Sequence, residues 1–191
     1  VGLAYRSQIR YRLEGDASFS AVPALDGPVH ANLTLPDSAS LSFVHALDSR
    51  WELLADASWT DWSDFRELAV VRDDGTPLAP ATPENWSDSW RYSLGLNWRA
   101  SDSLTLRTGA AYDETPVSDA FRTARIPDQN RTWLALGAQF RTSPASRVDL
   151  GYAHLFIDDA AIDESGPGGV RLTGEYSGSA DILSAQYTLD F

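Results

Sequence analysis

Hydrophobic and polar residues alternate one by one along most of this chain. The alternation is clearest over residues 89–99, where every second residue is apolar: Trp90, Tyr92, Leu94, Leu96 and Trp98. The residues between them are polar or small: Arg91, Ser93, Gly95 and Asn97. Because successive side chains of a β-strand point to opposite faces, this pattern predicts a strand with one apolar and one polar face.

The same alternation predicts eight strands in all. Their ranges are 1–13, 39–47, 51–60, 89–99, 104–112, 131–141, 147–156 and 180–191. Most of these segments have the roughly 9–11 residues that a tilted strand needs to cross a bilayer. A transmembrane helix is not expected, because the sequence has no apolar run of about 18 residues.

The connections between the predicted strands alternate strictly in length. Those at 47–51, 99–103 and 141–147 are tight turns, whereas those at 14–38, 61–88, 113–130 and 157–179 are long. Outer-membrane barrels have short periplasmic turns and long extracellular loops. The alternation therefore predicts a transmembrane antiparallel β-barrel wall whose chain end lies in the periplasm.

Arginines and small residues occupy the alternate positions that form the polar face of the predicted strands. The arginines are Arg6, Arg10, Arg12, Arg91, Arg99, Arg107, Arg131 and Arg141, and the glycines include Gly95, Gly109 and Gly137. Glycine within a strand usually marks a close approach of other material, which fits a barrel lumen. The alternative is a soluble all-β protein whose Leu, Trp and Tyr faces form a packed core.

Composition narrows the function classes. The formal net charge of −12 argues against a nucleic-acid partner, since phosphate binding needs clustered Lys and Arg. The absence of Cys excludes a disulfide framework and a thiol nucleophile. Most Trp and Tyr lie near the ends of the predicted strands, as in the aromatic girdles of membrane barrels. The chain lacks Met and opens inside a strand, so we expect any signal peptide upstream.

Four segments near the predicted loops carry a family resemblance. They are WTDWSDF (59–65), PENWSDSWRYSLG (83–95), YDETPVSDAFRTARIPDQNRTWLALG (112–137) and VDLGYAHLF (148–156). Together they resemble the FadL-type long-chain fatty-acid transporters of the bacterial outer membrane, and the similarity runs from Val1 to Phe191. One departure is Ser87, where many relatives are expected to carry Lys, whereas Arg91 matches the family pattern.

The resemblance implies a 14-stranded barrel plugged by an amino-terminal hatch. Residues 1–191 would form the carboxy-terminal eight strands of that single barrel domain, with the hatch and early strands upstream. The implied function is uptake of long-chain fatty acids or other hydrophobic compounds by ligand-gated passive diffusion, without enzymatic chemistry, cofactor or metal. The expected partners are the hydrophobic ligand, outer-membrane lipid, lipopolysaccharide and the barrel-assembly machinery, whose carboxy-terminal signal Phe191 resembles.

Candidate site residues follow from this combination. Arg91, Arg107 and Arg131 share the inward parity of neighbouring strands and could bind a carboxylate head group, since a guanidinium can donate two parallel hydrogen bonds. The alternative for these arginines is a lumen charge network with Asp56 or Glu52. Arg122, Arg125 and Asp128 are expected to fix the loop that contains them.

The first long loop is the candidate for ligand capture at the cell surface. Its apolar residues are Phe19, Val22, Pro23, Ala24, Leu25, Pro28, Val29, Leu33 and Leu35. An exposed apolar patch usually marks a binding site, although these residues could instead pack on one another. Trp59 is expected in the aromatic girdle, and Trp62 and Phe65 are left open between girdle and ligand platform.

Two other functions remain alternatives. His154 with Asp158 and Asp159 imitates a base and its orienting carboxylates, but no Ser lies in a recognisable nucleophile motif. The second alternative is a self-contained eight-stranded barrel with a structural or adhesion role.

Overall fold

A computed structural model describes residues 1–22, 25–166 and 169–190. The strands of this part are β1 (Gly2–Arg6), β2 (Ile9–Ala17), β3 (Gly27–Leu35), β4 (Ser38–Ala46), β5 (Trp51–Thr60), β6 (Glu67–Leu68), β7 (Val71–Arg72), β8 (Thr82–Pro83), β9 (Ser89–Arg99), β10 (Leu104–Asp113), β11 (Arg131–Ser143), β12 (Ser146–Ser165) and β13 (Arg171–Leu189). A 3-10 turn, Trp62–Asp64, follows β5. In these residues there is no helix with the length and apolar composition that a bilayer crossing requires. The predicted all-β class is confirmed.

Eight long strands form one sheet, which we call the wall sheet. Its order is β1-β4-β5-β9-β10-β11-β12-β13, and each neighbouring pair is antiparallel. Seven of the eight predicted strands contribute their central residues to this sheet, and the eighth, 1–13, contributes only its first residues, Gly2–Arg6. The predicted antiparallel wall is therefore correct in strand number, order and direction.

The register places alternate residues of all eight strands on opposite sides of the wall sheet. Arg91 lies opposite Asp113, and Asp113 lies opposite Arg131, so three charged residues of adjacent strands form one row. On the other side, Leu94, Leu136 and Leu183 are 62%, 63% and 83% exposed. A continuous exposed apolar surface is what a lipid-facing barrel wall requires. We call the two sides the polar face and the apolar face.

Small residues form a band halfway along the polar face. Gly95 lies opposite Gly109, and Gly137 lies opposite Gly151. At Gly109 an added Cβ would lie 3.2 Å from the carbonyl oxygen of Leu94, and at Gly151 it would lie 2.6 Å from the Ser184 hydroxyl. These four positions carry no side chain, although the Arg107 side chain lies against Gly137. We call this row of positions the glycine band.

Aromatic side chains mark both ends of the apolar face. Trp51 stacks on Trp98 at 5.4 Å near the tight turns, and Trp59 lies opposite Trp90 near the long loops. Trp90 and Trp98 are eight residues apart on β9, or roughly 26 Å along a strand. On a strand tilted by roughly 35–45° this separation spans about 20 Å of the bilayer, so the two tryptophans lie near the edges of the roughly 25 Å apolar band of outer-membrane barrels. The position of Trp59 agrees with its predicted girdle role.

The prediction of one membrane strand over residues 1–13 is wrong. Strand β1 ends at Arg6, and β2 leaves the wall to pair with β3 in a separate sheet of order β2-β3-β7. The break lies at Ser7 and Gln8, where the Gln8 backbone N–H donates to the Asp37 carboxylate. Alternation missed the break because a wall strand and a projecting hairpin have the same period of two.

Two predicted loops are also largely strand. Most of 14–38 belongs to the β2–β3 hairpin, and most of 157–179 belongs to β12 and β13, which continue as a tall hairpin past a register shift between Ile157 and Ala160. Near its tip, Arg171 Nε donates to Asp163 at 2.6 Å. Outside the bilayer neither face needs to be apolar, and residues 157–179 lack the alternation that predicts a strand. Val29, Ala31, Leu33 and Leu35 of β3 do alternate, but their segment was interpreted as a loop.

The connection between β10 and β11 packs against the outer part of β12. Val117 from this connection is buried, as are Leu155, Ala160 and Ile162 of β12. The Arg122 side chain is fully buried beside them. Its Nε donates to the Asp128 carbonyl at 3.0 Å and its Nη1 to the Ala161 carbonyl at 2.8 Å.

The other two predicted loop-fixing residues make separate contacts. Arg125 Nη2 donates to the Thr82 hydroxyl at 2.7 Å, joining this loop to the preceding one. Asp128 accepts a hydrogen bond from the Thr115 hydroxyl at 2.6 Å. These contacts support a loop-fixing role, which stays a prediction until it is tested by substitution.

Replacing Arg122 by Met should loosen the β10–β11 connection. Hydrogen bonds from charged groups contribute about 1.5–3 kcal/mol each, so losing both should make local opening at least about tenfold more frequent. Hydrogen exchange of residues 113–130 in detergent measures this opening. The control is Arg125→Met, since Arg125 is exposed and donates one hydrogen bond. Equal exchange rates in the two variants would contradict a special role for Arg122.

The stability of the β5–β9 connection should depend on the protonation of Glu84. Glu84 is 2% exposed, and burial raises the pKa of its carboxyl, with the hydrogen bond from Trp86 opposing the shift. A raised folded-state pKa stabilises the loop at pH values below the ordinary Glu pKa, and this contribution is lost as pH rises through the raised value. The protection factors of residues 61–88, which correct exchange for its intrinsic pH dependence, should therefore fall as pH rises from the ordinary Glu pKa through the raised value.

The Glu84→Gln variant should lose that pH dependence, because its amide keeps an acceptor for Trp86 without a titrating proton. Glu67→Gln, at an exposed position in the same connection, is the matched control and should keep it. A pH response unchanged in Glu84→Gln would assign the effect to another group.

Candidate ligand-binding site

A polar cavity of about 420 Å³ opens on the polar face at the loop end of the wall sheet. Its lining includes two guanidinium groups, one carboxylate and several hydroxyls: Arg6, Arg91, Asp113, Ser40, Ser58, Thr60 and Ser89. We call it the loop-end cavity. Hydroxyls and guanidiniums are hydrogen-bond donors, so the cavity suits an anionic group.

The strand register creates this cavity. Ser58 of β5 lies opposite Arg91, and Ser40 of β4 lies opposite Ser58. On β1, Arg6 lies opposite Ser38. The short serines between Arg6 and Arg91 leave space that longer side chains would fill.

Arg91 has free hydrogen-bonding capacity. Its guanidinium carbon lies 5.0 Å from the centre of the Trp133 ring, a cation–π distance. Among the ion pairs of the described residues, neither Arg91 nor Arg6 takes part in one. A guanidinium stacked on a ring still presents its N–H edge, so Arg91 can donate to a ligand.

The other two predicted donors are engaged by carboxylates. Arg131 Nη2 lies 3.6 Å from both Asp113 and Asp128, and Arg107 Nη1 lies 2.9 Å from Asp149. These two arginines pair with carboxylates, as in the lumen charge network that was the alternative to head-group binding for Arg91, Arg107 and Arg131. Of the three candidates, the structure leaves only Arg91 without a carboxylate partner in the described residues.

The predicted acidic partners of that network are wrong. Asp56 accepts hydrogen bonds from Ser42 at 2.6 Å and from Ser58 at 2.8 Å. Glu52 accepts one from the Asn97 amide at 2.7 Å. Parity placed both acids on the polar face, but their cross-strand neighbours depend on register, which a single sequence does not reveal.

A second, smaller cavity adjoins the first. Its volume is about 260 Å³, and it shares Ser89 and Asp113 with the loop-end cavity. Its apolar lining is Trp62, Trp86, Pro116, Val117 and Ile126. We call it the aromatic cavity.

Aromatic packing shapes this second cavity. The Trp62 and Trp86 rings pack edge to face, with their centres 5.0 Å apart. The centre of the Phe65 ring lies 4.7 Å from that of Trp86. The sequence left open whether Trp62 and Phe65 belong to the aromatic girdle or to a ligand platform. In the structure both pack in a cluster of loop residues, away from the girdle. Val117 and Ile126 were missed because they lie in a loop interpreted only as structural.

The β2–β3 hairpin presents an exposed apolar surface, which we call the hairpin face. Cross-strand pairs on this face are apolar: Ile9 with Leu35, Tyr11 with Leu33, Leu13 with Ala31, and Gly15 with Val29. The predicted capture residues Val29, Leu33 and Leu35 belong to it, in a strand and not in a loop. The residues that β2 contributes to the hairpin face, such as Ile9, Tyr11 and Leu13, were missed because the sequence assigned them to a membrane strand.

The remaining capture residues lie at the hairpin tip. Phe19, Val22 and Leu25 are 37%, 47% and 46% exposed, so they are available to a ligand. Pro23 and Ala24 lie outside the described residues. Phe191, the predicted assembly signal, also lies outside them.

The His154 cluster differs from its predicted form. His154 Nδ1 lies 2.8 Å from Asp181, which also accepts a hydrogen bond from the Tyr152 hydroxyl at 2.7 Å. The predicted partners Asp158 and Asp159 form no hydrogen bond with His154 in the described part of the chain. The cluster lies on the apolar face and brings no serine nucleophile to the histidine.

Known proteins with similar sequences are outer-membrane proteins. The chain is 34% identical to a 47 kDa outer membrane protein of Pasteurella multocida, over 98% of the chain and 46% of that protein. It is 28% identical to the long-chain fatty acid transport protein of Escherichia coli K12, over 85% of the chain and 39% of that protein. The chain spans about half the length, or less, of these curated relatives.

Solved structures give the same result. A FadL homologue from Pseudomonas aeruginosa superposes with a TM-score of 0.92 at 28% identity, covering 99% of this chain and 48% of that one. The Pseudomonas putida toluene transporter TodX, at 20% identity, shares the fold with a TM-score of 0.64, covering 100% of this chain and 45% of that one. The wall sheet is thus part of a FadL-type barrel, its polar face lines the lumen, and the protein is located in the outer membrane.

The family match covers the whole chain. Residues 1–191 match the family described as outer membrane protein transport protein (OMPP1/FadL/TodX). This is a family of transport proteins and not of enzymes, which removes the catalytic alternative for His154. The similarity of sequence, of fold and of the family pattern leads to one conclusion: this chain belongs to the OMPP1/FadL/TodX family of outer-membrane transport proteins.

Proposed function

We propose that the protein containing this chain transports long-chain fatty acids or other hydrophobic compounds across the outer membrane, by ligand-gated passive diffusion through a plugged barrel. The main support is the contact between a polar cavity and an aromatic cavity at the loop end of the lumen. An amphiphilic molecule needs both environments within one molecular length.

The two cavities fix how such a molecule would lie. Its carboxylate would bind in the loop-end cavity, where Arg91 and Arg6 carry N–H groups without carboxylate partners in the described residues. Its chain would lie against Trp62 and Trp86 in the aromatic cavity. Arg107 and Arg131, which were also candidates, would act through their ion pairs by holding the lumen wall in shape.

Capture would begin on the hairpin face. This surface is apolar and exposed, while the opposite side of the same hairpin carries Arg10, Arg12 and Glu14. Burying apolar ligand surface contributes roughly 25 cal/mol per Å², so the hairpin face can hold a chain weakly and without a specific head-group contact. Weak binding at this point allows transfer to the inner cavities.

Removing the Arg91 charge should weaken binding of a fatty acid more than of the matching alcohol. Hydrogen bonds to charged groups contribute about 1.5–3 kcal/mol, so the Arg91→Gln variant of the full-length protein should lose about 10- to 100-fold in affinity for the acid. Displacement of a fluorescent fatty acid in detergent measures both ligands. The control Arg10→Gln removes the same charge outside the lumen. Equal losses for acid and alcohol would remove the head-group assignment.

Polar substitutions on the hairpin face should slow uptake at low ligand concentration. Tyr11→Ser and Leu13→Ser reduce the apolar surface available for capture, whereas Arg12→Ser changes the opposite side of the hairpin and serves as the control. Uptake of a labelled fatty acid by whole cells should fall several-fold in the first two variants, with unchanged equilibrium affinity in detergent. A similar fall in Arg12→Ser would show that the hairpin has a structural role only.

A further inference from the structure

A second polar pocket lies on the polar face, at the opposite end from the loop-end cavity. Its volume is about 270 Å³, and it is lined by Arg99, Asp102, Ser103, Thr105, Gln139 and Arg141. We call it the turn-end pocket. Arg91 and Arg99 are eight residues apart on β9, roughly 26 Å along the strand, so the two sites are separate.

The strand register brings the two arginines of this pocket together. Thr105 of β10 lies between Arg99 of β9 and Gln139 of β11. The backbone N–H of Arg141 donates to the Ser103 carbonyl at 2.8 Å, which fixes the second arginine beside the turn. Strands two positions apart are separated by about 10 Å. Two extended arginine side chains can converge across that distance, above the short Thr105.

The carboxylates near the pocket are engaged elsewhere or exposed. Asp149 accepts from Arg107 and from the Gln139 amide, at 2.9 and 2.8 Å. Glu52 accepts from Asn97 at 2.7 Å. Asp102, the one acid in the lining, lies in the exposed turn.

The two guanidinium groups therefore outnumber the single carboxylate, Asp102, in the lining of the pocket. No ion pair of the described residues includes Arg99 or Arg141. Two like charges that converge on one pocket repel each other unless an anion binds between them.

We propose that the turn-end pocket is a carboxylate-binding site, with Arg99 and Arg141 as its charged donors and the Thr105 hydroxyl as a third donor. A planar carboxylate fits this chemistry because each guanidinium can donate two parallel hydrogen bonds to it. The carboxylate comes either from a free fatty acid that has passed along the lumen or from an acidic side chain elsewhere in the full-length polypeptide. In both cases the bound carboxylate would offset positive charge at the turn end of the lumen, and the first source rests on the proposed function.

The test uses the full-length protein in detergent and octanoate as the probe, with octanol as the uncharged comparison. Calorimetric titration of the double variant Arg99→Gln/Arg141→Gln is compared with Arg10→Gln/Arg12→Gln, which removes two charges from the extracellular hairpin. Arg91→Gln is titrated in parallel, so a failure of the loop-end site is seen separately. Arg99→Lys/Arg141→Lys keeps the charge and loses the bidentate geometry.

If the carboxylate in the turn-end pocket comes from a free fatty acid, the wild-type protein should have a second octanoate site. That site should weaken at least about tenfold in Arg99→Gln/Arg141→Gln, remain in Arg91→Gln and in the hairpin control, and be absent for octanol. An internal side chain as the source predicts no second octanoate site. It predicts instead a lower unfolding temperature for the double Gln variant than for the hairpin control, largely restored in the double Lys variant. A double Gln variant that matches the hairpin control in both measurements would overturn the proposal.

Discussion

The ladder of backbone hydrogen bonds across the wall sheet is the constraint on which the rest of this structure depends. In hydrocarbon, each unsatisfied backbone group costs several kcal/mol, so strands inside a bilayer must pair along their whole length. Pairing fixes the register, and a register shift of one residue would exchange the polar and apolar faces. The row Arg91, Asp113 and Arg131 exists because three neighbouring strands are held without such a shift.

Periodicity in the sequence predicted what this constraint determines and missed what it does not. Arg91, Arg107 and Arg131 were placed on one face correctly, because parity alone decides that. Which of them lacks a carboxylate depends on cross-strand neighbours such as Asp113 and Asp149, and a single sequence does not reveal register. The break after Arg6 was missed because the alternation continues through Ile9, Tyr11 and Leu13, where the strand has already left the wall.

The aromatic cavity could not be predicted for a different reason. Trp62 and Trp86 come from one long connection, and Val117 and Ile126 come from the next, so the cavity exists only once both connections are folded. Arg125 donates a hydrogen bond to Thr82 across the two connections, and Arg122, buried between the second connection and β12, donates one to the Ala161 carbonyl. Loops of this kind carry no periodic signal, and their packing depends on a few polar contacts. The motif WTDWSDF drew attention to the right segment without showing which neighbours it meets.

The glycine band has a consequence for how a molecule would travel between the two arginine sites. Between them the glycine positions carry no side chain, and the Arg107–Asp149 ion pair lies beside them. A passing apolar chain would therefore contact mainly backbone and this one pair at mid-height. Replacing Gly95 or Gly109 with a branched residue would narrow the lumen at mid-height and reduce flux. The charges of the loop-end cavity and of the turn-end pocket would stay unchanged.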